Sequence, residues 1–427
     1  MKQLFPLLLI TSLFLSYSSC IKSTVPDEEL DPNELIETPV LEDIEPAKPI
    51  VLTTKQSEKV NIDNLFAFKI FKEVSISPNT FFSPLSLTMA LGMLYNGATG
   101  DTRTEMAQAL GMGDFTETEV NEYYLQMREA LLKIDPLTNI CIANSIWYRN
   151  GFPVKQSFID INQKYYDAMV KALDFSSPDA ADIINKWCAE KTKNKITEIV
   201  KKPINDLTMM FLINALYFKS KWQLPFDKAK TKQDDFTIKE NQKKKVNMME
   251  QTTTLPYYAD KYMQCVEMPY GNDAFSMVTI LPDNSVSIEK LIDYLDNTVW
   301  KNVLDQMYPQ KVWLKLPRFK IECEIPLNDP VKKVGMKQIF DPNVAGLINI
   351  ADISDLHVSN IKQKTFVEVN EEGTEAAAVT VIEIGITSVG PSLDPKQFFA
   401  NRPFLYLIKE KSTGAILFIG RMDEPKE

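Results

Sequence analysis

Histidine is almost absent from this chain of 427 residues, which contains His357 and no other. A Ser-His-Asp or Cys-His mechanism would have to use that residue, and no nucleophile motif lies beside it. The chain also lacks GxSxG, HExxH, P-loop and GxGxxG patterns. Glu371 and Glu372 are adjacent, but neighbours on a strand point to opposite faces. We therefore expect His357 to be a surface or structural residue, and a hydrolase that uses it is the weaker hypothesis.

Cysteine is also scarce, and none of the five cysteines lies in a CxxC pair. This spacing indicates neither a metal site nor a disulfide framework. Apart from Cys20, we expect the cysteines to be buried free thiols; they are Cys141, Cys188, Cys265 and Cys323. Positive charge is in deficit as well, because the formal net charge is −10. That balance disfavours nucleic-acid binding, and we predict no cofactor and no metal.

The N-terminus has the pattern of an export signal. Leu4 to Leu15 is an almost unbroken apolar run, too short with its flanks for a membrane-spanning helix. Small residues then precede Cys20, as in the lipobox of bacterial lipoproteins. This resemblance implies that residues 1–19 are removed and that Cys20 is lipidated, which would hold the protein to a membrane of the bacterial envelope. Secretion after cleavage at another site is the alternative.

The segment after Cys20 is acidic and rich in proline. From Ser23 to Ala47 there are nine acidic residues, four prolines and no Lys or Arg. Like charges and prolines keep such a chain extended. We predict a tether over residues 20–50 that precedes one domain over 51–427, and an acidic interaction tail is the alternative.

Within the body, helical patterns come first and strand patterns follow. Ser83 is typical of a helix cap with Pro84 in the first turn, and the next residues are apolar on most sides, as in a core helix. This order, with little βαβ alternation, predicts an α+β domain. The predicted helices are 61–72, 84–94, 102–110, 158–166 and 180–199. The predicted strands are 208–218, which is central, 263–269, 275–282, 311–319 and 365–370, with a terminal hairpin of 404–409 and 415–420.

The segment from Glu371 to Gly390 combines conflicting preferences. It begins with glycine, threonine and a Glu-Ala-Ala-Ala run, continues as Val-Thr-Val-Ile-Glu-Ile, and ends in residues that suit an exposed loop.

Several motifs in order resemble the serpin family over 61–425. They are Asn79–Ser86, Leu94–Ala98, Thr102–Met106, Asn214–Trp222 with Pro225-Phe226, Leu316–Phe319, Phe366–Ala378, Asn401–Phe404 and Phe418–Arg421. With the lipobox, the chain is similar to a lipoprotein serpin of a Gram-negative bacterium. The resemblance implies helices around three β-sheets, a monomer, and an exposed reactive-centre loop at about 371–398. It also implies a suicide inhibitor, in which a protease cuts the loop and the loop then enters the main sheet.

The resemblance assigns residues to two functional regions. The hinge comprises Glu371, Gly373, Thr374, Glu375, Ala376, Ala377 and Ala378. The shutter and breach, which control opening of the main sheet, comprise Ser83, Ser86, Asn214, Trp222 and Gln363.

The sequence of the loop is compatible with its insertion as a strand of the main sheet. Successive side chains of a strand point to opposite faces of the sheet. The residues that would share one face are all uncharged: Thr374, Ala376, Ala378, Thr380, Ile382 and Ile384. Both glutamates, Glu375 and Glu383, fall in the other set. No proline occurs from Gly373 through Gly390, so every donor for strand pairing is present. The pattern favours an inhibitor over a non-inhibitory carrier or adhesin, which remains the alternative.

The family's spacing from the hinge predicts the scissile bond at Thr387-Ser388. A bond beside Ile386 or Val389 stays open because the loop is longer than the family norm. Thr374 to Pro395 contains no Lys or Arg and no aromatic residue. Elastase-like or subtilisin-like serine proteases are thus favoured over trypsin-like ones, and cysteine proteases that read Ile386 are a further option.

Gln363 departs from the family, which commonly has a histidine there. Glutamine can still donate and accept hydrogen bonds. We predict an intact, pH-insensitive latch, and drift into a self-inserted latent state is the alternative.

Overall fold

A computed structural model describes residues 45–75, 78–374 and 394–427. Cys20, the signal segment, residues 20–44 of the tether, hinge residues Glu375–Ala378 and all the candidate scissile bonds lie outside the described residues. Ala47 and Ile50, near the predicted boundary, donate backbone hydrogen bonds to the Asn272 carbonyl and the Ser412 hydroxyl. Contacts with the body thus begin slightly before residue 51. Among the described residues, no helix combines the length and apolar character needed to cross a membrane.

The helices are concentrated in the first half of the chain. They are α1 (Thr54–Val74), α2 (Pro84–Tyr95), α3 (Gly100–Ala109), α4 (Glu117–Lys133), α5 (Gln156–Tyr166), α6 (Ala180–Lys191), α7 (Ile288–Tyr294), α8 (Asn297–Gln306) and α9 (Asn328–Lys333). As predicted, Ser83 caps α2 by accepting from the Ser86 amide, with Pro84 in the first turn. All of α2 except Ala90 is buried, which confirms the predicted core helix.

Helix α6 is shorter than the predicted 180–199. The Thr192 hydroxyl donates to the Cys188 carbonyl and accepts from the Ile196 amide. Lys193 and Asn194 have φ of 50° and 60°, so the chain turns out of the helix there. The apolar residues after the turn do not extend the helix, because they pack against the sheet as an irregular segment.

The strands alternate with helices early and dominate later. They are β1 (Phe81–Phe82), β2 (Asn139–Arg149), β3 (Met169–Leu173), β4 (Met210–Lys221), β5 (Lys232–Lys239), β6 (Gln242–Ala259), β7 (Met263–Tyr270), β8 (Phe275–Pro282), β9 (Tyr308–Pro317), β10 (Phe319–Pro326), β11 (Lys362–Asn370), β12 (Gly373–Thr374), β13 (Lys396–Phe399), β14 (Phe404–Glu410) and β15 (Ile416–Met422). The predicted terminal hairpin is confirmed by the antiparallel pairing of β14 with β15.

The predicted α+β class is confirmed, and the described strands form two hydrogen-bonded sheets because two of the three sheets that the resemblance implies are continuous. One has nine strands in the order β1-β15-β14-β8-β7-β6-β9-β13, with β5 paired to β6. The reason is the length of β6: residues 242–248 pair with β5, residues 248–257 pair with β9, and Tyr257–Ala259 pair with β7. This one strand joins two layers into a continuous hydrogen-bonded sheet.

The other sheet has the order β10-β11-β12-β4-β2-β3. Strand β4 is central, as predicted, with β2 on one side and β12 on the other. The main core lies between the two sheets, where Phe218 of β4 contacts the rings of Tyr270 and Phe275, each at 5.4 Å between centroids. A second apolar cluster, which includes Trp147 and Trp187, packs α6 against the opposite face of the six-stranded sheet.

Candidate functional site

The hinge begins as a tight turn at the end of β11. Gly373 and Thr374 form β12 and pair with β11 on one side and β4 on the other. Gly373 has φ of 152°, and a Cβ there would lie 2.1 Å from the Ser220 carbonyl oxygen. Glycine is therefore required, because any side chain would collide with the backbone of β4.

Glu371 is held at the turn by one cation and one hydroxyl. Its side chain is 2% exposed, and the Arg318 Nε lies 2.7 Å and 2.8 Å from its two carboxylate oxygens. Thr231 donates to the same carboxylate over 2.5 Å. Burial alone would raise the pKa of Glu371, but the hydrogen bonds from Arg318 and Thr231 outweigh it and lower the pKa.

Glu372 takes a different partner, the ammonium of Lys228. The two carboxylates do not converge on one point, as predicted, although they lie in a turn and not on a strand. Their carbonyls also anchor the turn, because the Phe226 amide donates to Glu371 and the Trp222 amide donates to Glu372. The turn is thus fixed from both its side chains and its backbone.

The predicted breach residue Trp222 is central to the hinge. Its indole Nε1 donates to the Asn370 carbonyl over 2.9 Å, and its ring stacks on Tyr270 with centroids 4.4 Å apart. The Tyr270 hydroxyl lies 2.5 Å from the Thr374 hydroxyl. The side chain of Thr374 therefore points into the core between the sheets, and Tyr270 connects it to the nine-stranded sheet.

The shutter residues separate into two hydrogen-bonded groups. Gln363 accepts from the Ser83 amide over 2.7 Å and donates to the Ser83 carbonyl over 2.9 Å. The Ser83 hydroxyl accepts from the Ser86 amide and donates to the Leu417 carbonyl. Gln363 thus links β11 to the start of α2, which fits the predicted latch.

Asn214 belongs to the other group. It donates to the Asn144 side chain over 2.6 Å, and Asn144 donates to the Tyr166 carbonyl. Sequence reasoning missed Asn144, and it also missed Tyr270, Arg318, Thr231 and Lys228. Arg318 lay within one of the matching motifs, whereas the others had no local signal because their contacts join distant segments.

Beyond Thr374, the described parts of β4 and β11 are not paired with each other. In the described residues, β4 and β11 share no register pairs with each other, and both pair with the two residues of β12. The inner edges of two neighbouring strands are therefore positioned to receive a strand between them.

The remaining predicted residues lie away from the hinge. His357 is half-buried in an irregular segment rather than a strand, with Nδ1 2.8 Å from the Asp355 carbonyl oxygen. The cysteines at 141, 188, 265 and 323 are free. Cys188 and Cys265 are buried, as predicted. Cys141, near the exposed start of β2, and Cys323, on the edge strand β10, are only half-buried. Over the ranges that the structure covers, no cluster of His, Cys, Asp or Glu could hold a metal ion.

Comparisons with known proteins agree with this geometry. A family model described as serpin (serine protease inhibitor) matches residues 61–425. Iripin-3 of Ixodes ricinus is 32% identical over 383 residues, which covers 88% of this chain and 97% of that protein. The solved structure of the thermophilic serpin tengpin in its native state gives a TM-score of 0.78 at 30% identity, covering 90% of this chain and 98% of its own. Human thyroxine-binding globulin with its ligand gives 0.79 at 26% identity, covering 88% and 100%.

Proposed function

The chain belongs to the serpin family, and on that premise we propose that it inhibits serine proteases by covalent trapping. The protease serine attacks the carbonyl of Thr387, forms an ester and releases the amine of Ser388. The freed segment then inserts between β4 and β11 and carries the attached protease with it. Insertion adds a strand to the sheet and releases strain stored in the uncleaved fold.

The observation that carries this proposal is the placement of Thr374. Its side chain points into the core and its backbone already pairs with both β4 and β11. Continuing the alternation directs Ala376, Ala378 and Thr380 inward, and leaves Glu375 on the outer face. An unpaired buried carboxylate would oppose insertion, and this register avoids one.

The loop composition supports a preference for proteases with shallow apolar pockets. We expect elastase-like and subtilisin-like enzymes to be trapped more readily than trypsin-like enzymes, because the loop has no Lys or Arg before Lys396. Cysteine proteases that read Ile386 are further candidates.

The test mixes the purified protein with an elastase, a subtilisin and trypsin and separates the products on a denaturing gel. A covalent band near the summed mass with the first two enzymes, and little with trypsin, is expected. Mass spectrometry of the released C-terminal peptide identifies the scissile bond. Loop cleavage without a covalent band or a gain in thermal stability would contradict the proposal.

Two matched variants sharpen the test. Thr380→Arg puts a charge on the inward face, so it should convert the inhibitor into a substrate. Val381→Arg adds the same charge one residue later, on the face that carries the glutamates, and should keep the covalent band. Equal behaviour of the two variants would contradict the assigned register.

A non-inhibitory carrier is the second candidate. The similarity to thyroxine-binding globulin, a protein solved with its ligand, favours it. A carrier would be unaffected by Thr380→Arg and would give no covalent band with any protease, so the same gel separates the two functions.

We also propose that lipidated Cys20 anchors the inhibitor to the bacterial envelope, with the acidic tether between lipid and body. Membrane fractionation of cells that express the full chain tests this. Cys20→Ala should move the protein from the membrane fraction to the soluble one, and retention of the variant in membranes would contradict the anchor.

A further inference from the structure

A buried carboxylate lies behind the point where the hinge enters the sheet. Asp135, between α4 and β2, is 4% exposed, and no ion pair in the described part of the chain includes it. Its Oδ1 accepts from the Leu137 amide over 2.9 Å, and its Oδ2 accepts from the Thr138 hydroxyl over 2.5 Å. A buried carboxylate without a cation is costly unless hydrogen bonds satisfy it.

A chain of hydrogen bonds connects Asp135 to β4, and each donor in it can be assigned. The Thr138 hydroxyl lies 2.7 Å from the hydroxyl of Ser220. A carboxylate only accepts, and Thr138 has one hydroxyl proton to give, so Thr138 donates to Asp135. Ser220 must then donate to Thr138. We call Asp135, Thr138 and Ser220 the Asp135 network.

The Asp135 network ends at the hinge. Ser220 is the β4 residue that pairs with Thr374, and side chains that face each other in an antiparallel pair lie on the same side of the sheet. The Asp135 carboxylate is also confined by Gly271, where a Cβ would lie 2.1 Å from Oδ2. The Gly271 amide in turn donates to the carbonyl of Lys221, the partner of Gly373.

We propose that Asp135 and Thr138 are positioning residues for loop insertion. They fix the end of β4 so that Ser220 and Lys221 hold Thr374 and Gly373 in register, and the residues after Thr374 can then insert as a continuation of that pairing. The proposal rests on the proposed trapping function. Neither residue touches the protease or the scissile bond, so their effect is on the competition between insertion and hydrolysis of the acyl-enzyme.

The test replaces the central hydroxyl by a methyl group in Thr138→Val, with Ser220→Ala as a milder variant that leaves Asp135 and Thr138 paired. Losing one buried hydrogen bond should slow insertion about fivefold. The ratio of cleaved inhibitor to covalent complex should rise by the same factor. The matched control is Thr102→Val, which removes another buried hydroxyl, bonded to Gln338 and to the Gly346 amide.

All variants are measured well below their thermal midpoints, so that a general loss of stability leaves the ratio unchanged. A second readout is the rate at which the uncleaved protein takes up a synthetic peptide of the sequence TEAAAVTVIEIGIT, detected as a gain in thermal stability. Slower uptake in Thr138→Val and Ser220→Ala, but not in Thr102→Val, is expected.

The gel and the peptide-uptake rate distinguish failure of the trapping function from failure of the Asp135 network. If the wild type takes up peptide but traps no protease, the trapping function is wrong, and the peptide rates alone decide on the Asp135 network. If the wild type traps protease and both network variants match Thr102→Val, the network does not position the hinge. If the wild type does neither, both proposals fall.

Discussion

The ion pair between Arg318 and Glu371 gives the sharpest stability prediction for the hinge. Arg318→Met keeps most of the apolar stem but removes the guanidinium that holds a carboxylate with 2% exposure. The hydrogen bond from Thr231 would remain on that carboxylate, but no cation in the described residues would pair with it. We expect the native state to be destabilised because a buried charge loses its cation.

Two quantities bound the free energy of unfolding that Arg318→Met should remove. Hydrogen bonds to charged groups contribute roughly 1.5–3 kcal/mol, and Arg318 is about one-third exposed, which reduces the loss through solvent screening. The upper limit is the cost of protonating the glutamate at pH 7, about 3.7 kcal/mol from a reference pKa of about 4.3. We expect a loss of about 2 kcal/mol.

Thermal unfolding is the assay. An unfolding entropy of about 2.1 cal/mol/K per residue gives about 0.8 kcal/mol/K for the body from Glu45 to Glu427, so the midpoint should fall by about 2.5 °C at pH 7. Because folding lowers the pKa of Glu371, the stabilisation is present above about pH 4.3 and is lost as the pH falls through the folded value. The cost of protonating Glu371 in the variant falls by about 1.4 kcal/mol per pH unit, so the difference between wild type and variant should begin to shrink below about pH 6 and continue to shrink as the pH falls through the folded pKa of Glu371.

Two controls show whether the reasoning is correct. Lys333→Met breaks an ion pair with Glu73 whose members are 61% and 31% exposed, and should cost far less than Arg318→Met because solvent screens that pair. Arg318→Met combined with Glu371→Gln removes the uncompensated charge and should recover most of the lost stability. The reasoning is refuted if Arg318→Met costs no more than Lys333→Met, or if the double variant is as unstable as the single one.

Three further predictions concern the hinge, the latch and the thiols. Gly373→Ala should abolish the covalent band but permit loop cleavage, because its Cβ meets the backbone of Ser220; a normal band would contradict the close approach. Gln363→His should make the thermal midpoint fall between pH 7 and 5 relative to wild type, because burial keeps imidazole neutral in the fold and acid charges the unfolded chain; parallel pH curves would show no such linkage. Burial raises the pKa of Cys188 to about 12, and that of Cys265 also rises. A thiol reagent at pH 8 should therefore label these two residues only after unfolding, and rapid labelling of the native protein would contradict their burial.

Local signals predicted the parts of the fold that local physics determines. Ser83-Pro84 specified the start of α2, and the apolar run 208–218 specified a central strand. Helix α4 was not predicted, although the sequence carries a signal for its start. Thr116 and Glu119 have the spacing of a capping box, and they form one in the structure. The overestimate of α6 came from apolar residues after Lys191 that pack on the sheet without helical geometry.

The contacts of the candidate site could not be predicted in the same way. The hydroxyl pair of Tyr270 and Thr374 joins residues 104 positions apart, and Gln363 reaches Ser83 across 280. No pattern within one segment encodes such a pairing. The family motifs supplied the functional regions, but they grouped Asn214 with Ser83, whereas its side chain donates to Asn144 and Met89. Side chains of similar polarity can exchange partners without changing the motif.

The segment from Thr192 to Ile204, which follows α6, contacts the outer faces of both β4 and β11. On the β4 side, Ile196, Val200 and Ile204 are buried in the cluster that includes Ile213 of β4. Full burial of such side chains contributes roughly 1.5–3 kcal/mol each. This side of the segment is therefore stabilised by apolar contacts, in a cluster that joins β4 to α6 and β2.

Its contacts with β11 are of a weaker kind. The Lys195 ammonium lies 4.6 Å from the ring centroid of Phe366, and Glu198 lies 3.7 Å from Lys364. Partly exposed cation–π contacts and ion pairs contribute only about 0.5–1 kcal/mol each. We expect a strand that enters between β4 and β11 to displace these polar contacts before it displaces the apolar contacts with β4. The sheet should therefore open by movement of β11 away from the covering segment, while β4, fixed also at its end by the Asp135 network, remains in place as the template for the inserted strand.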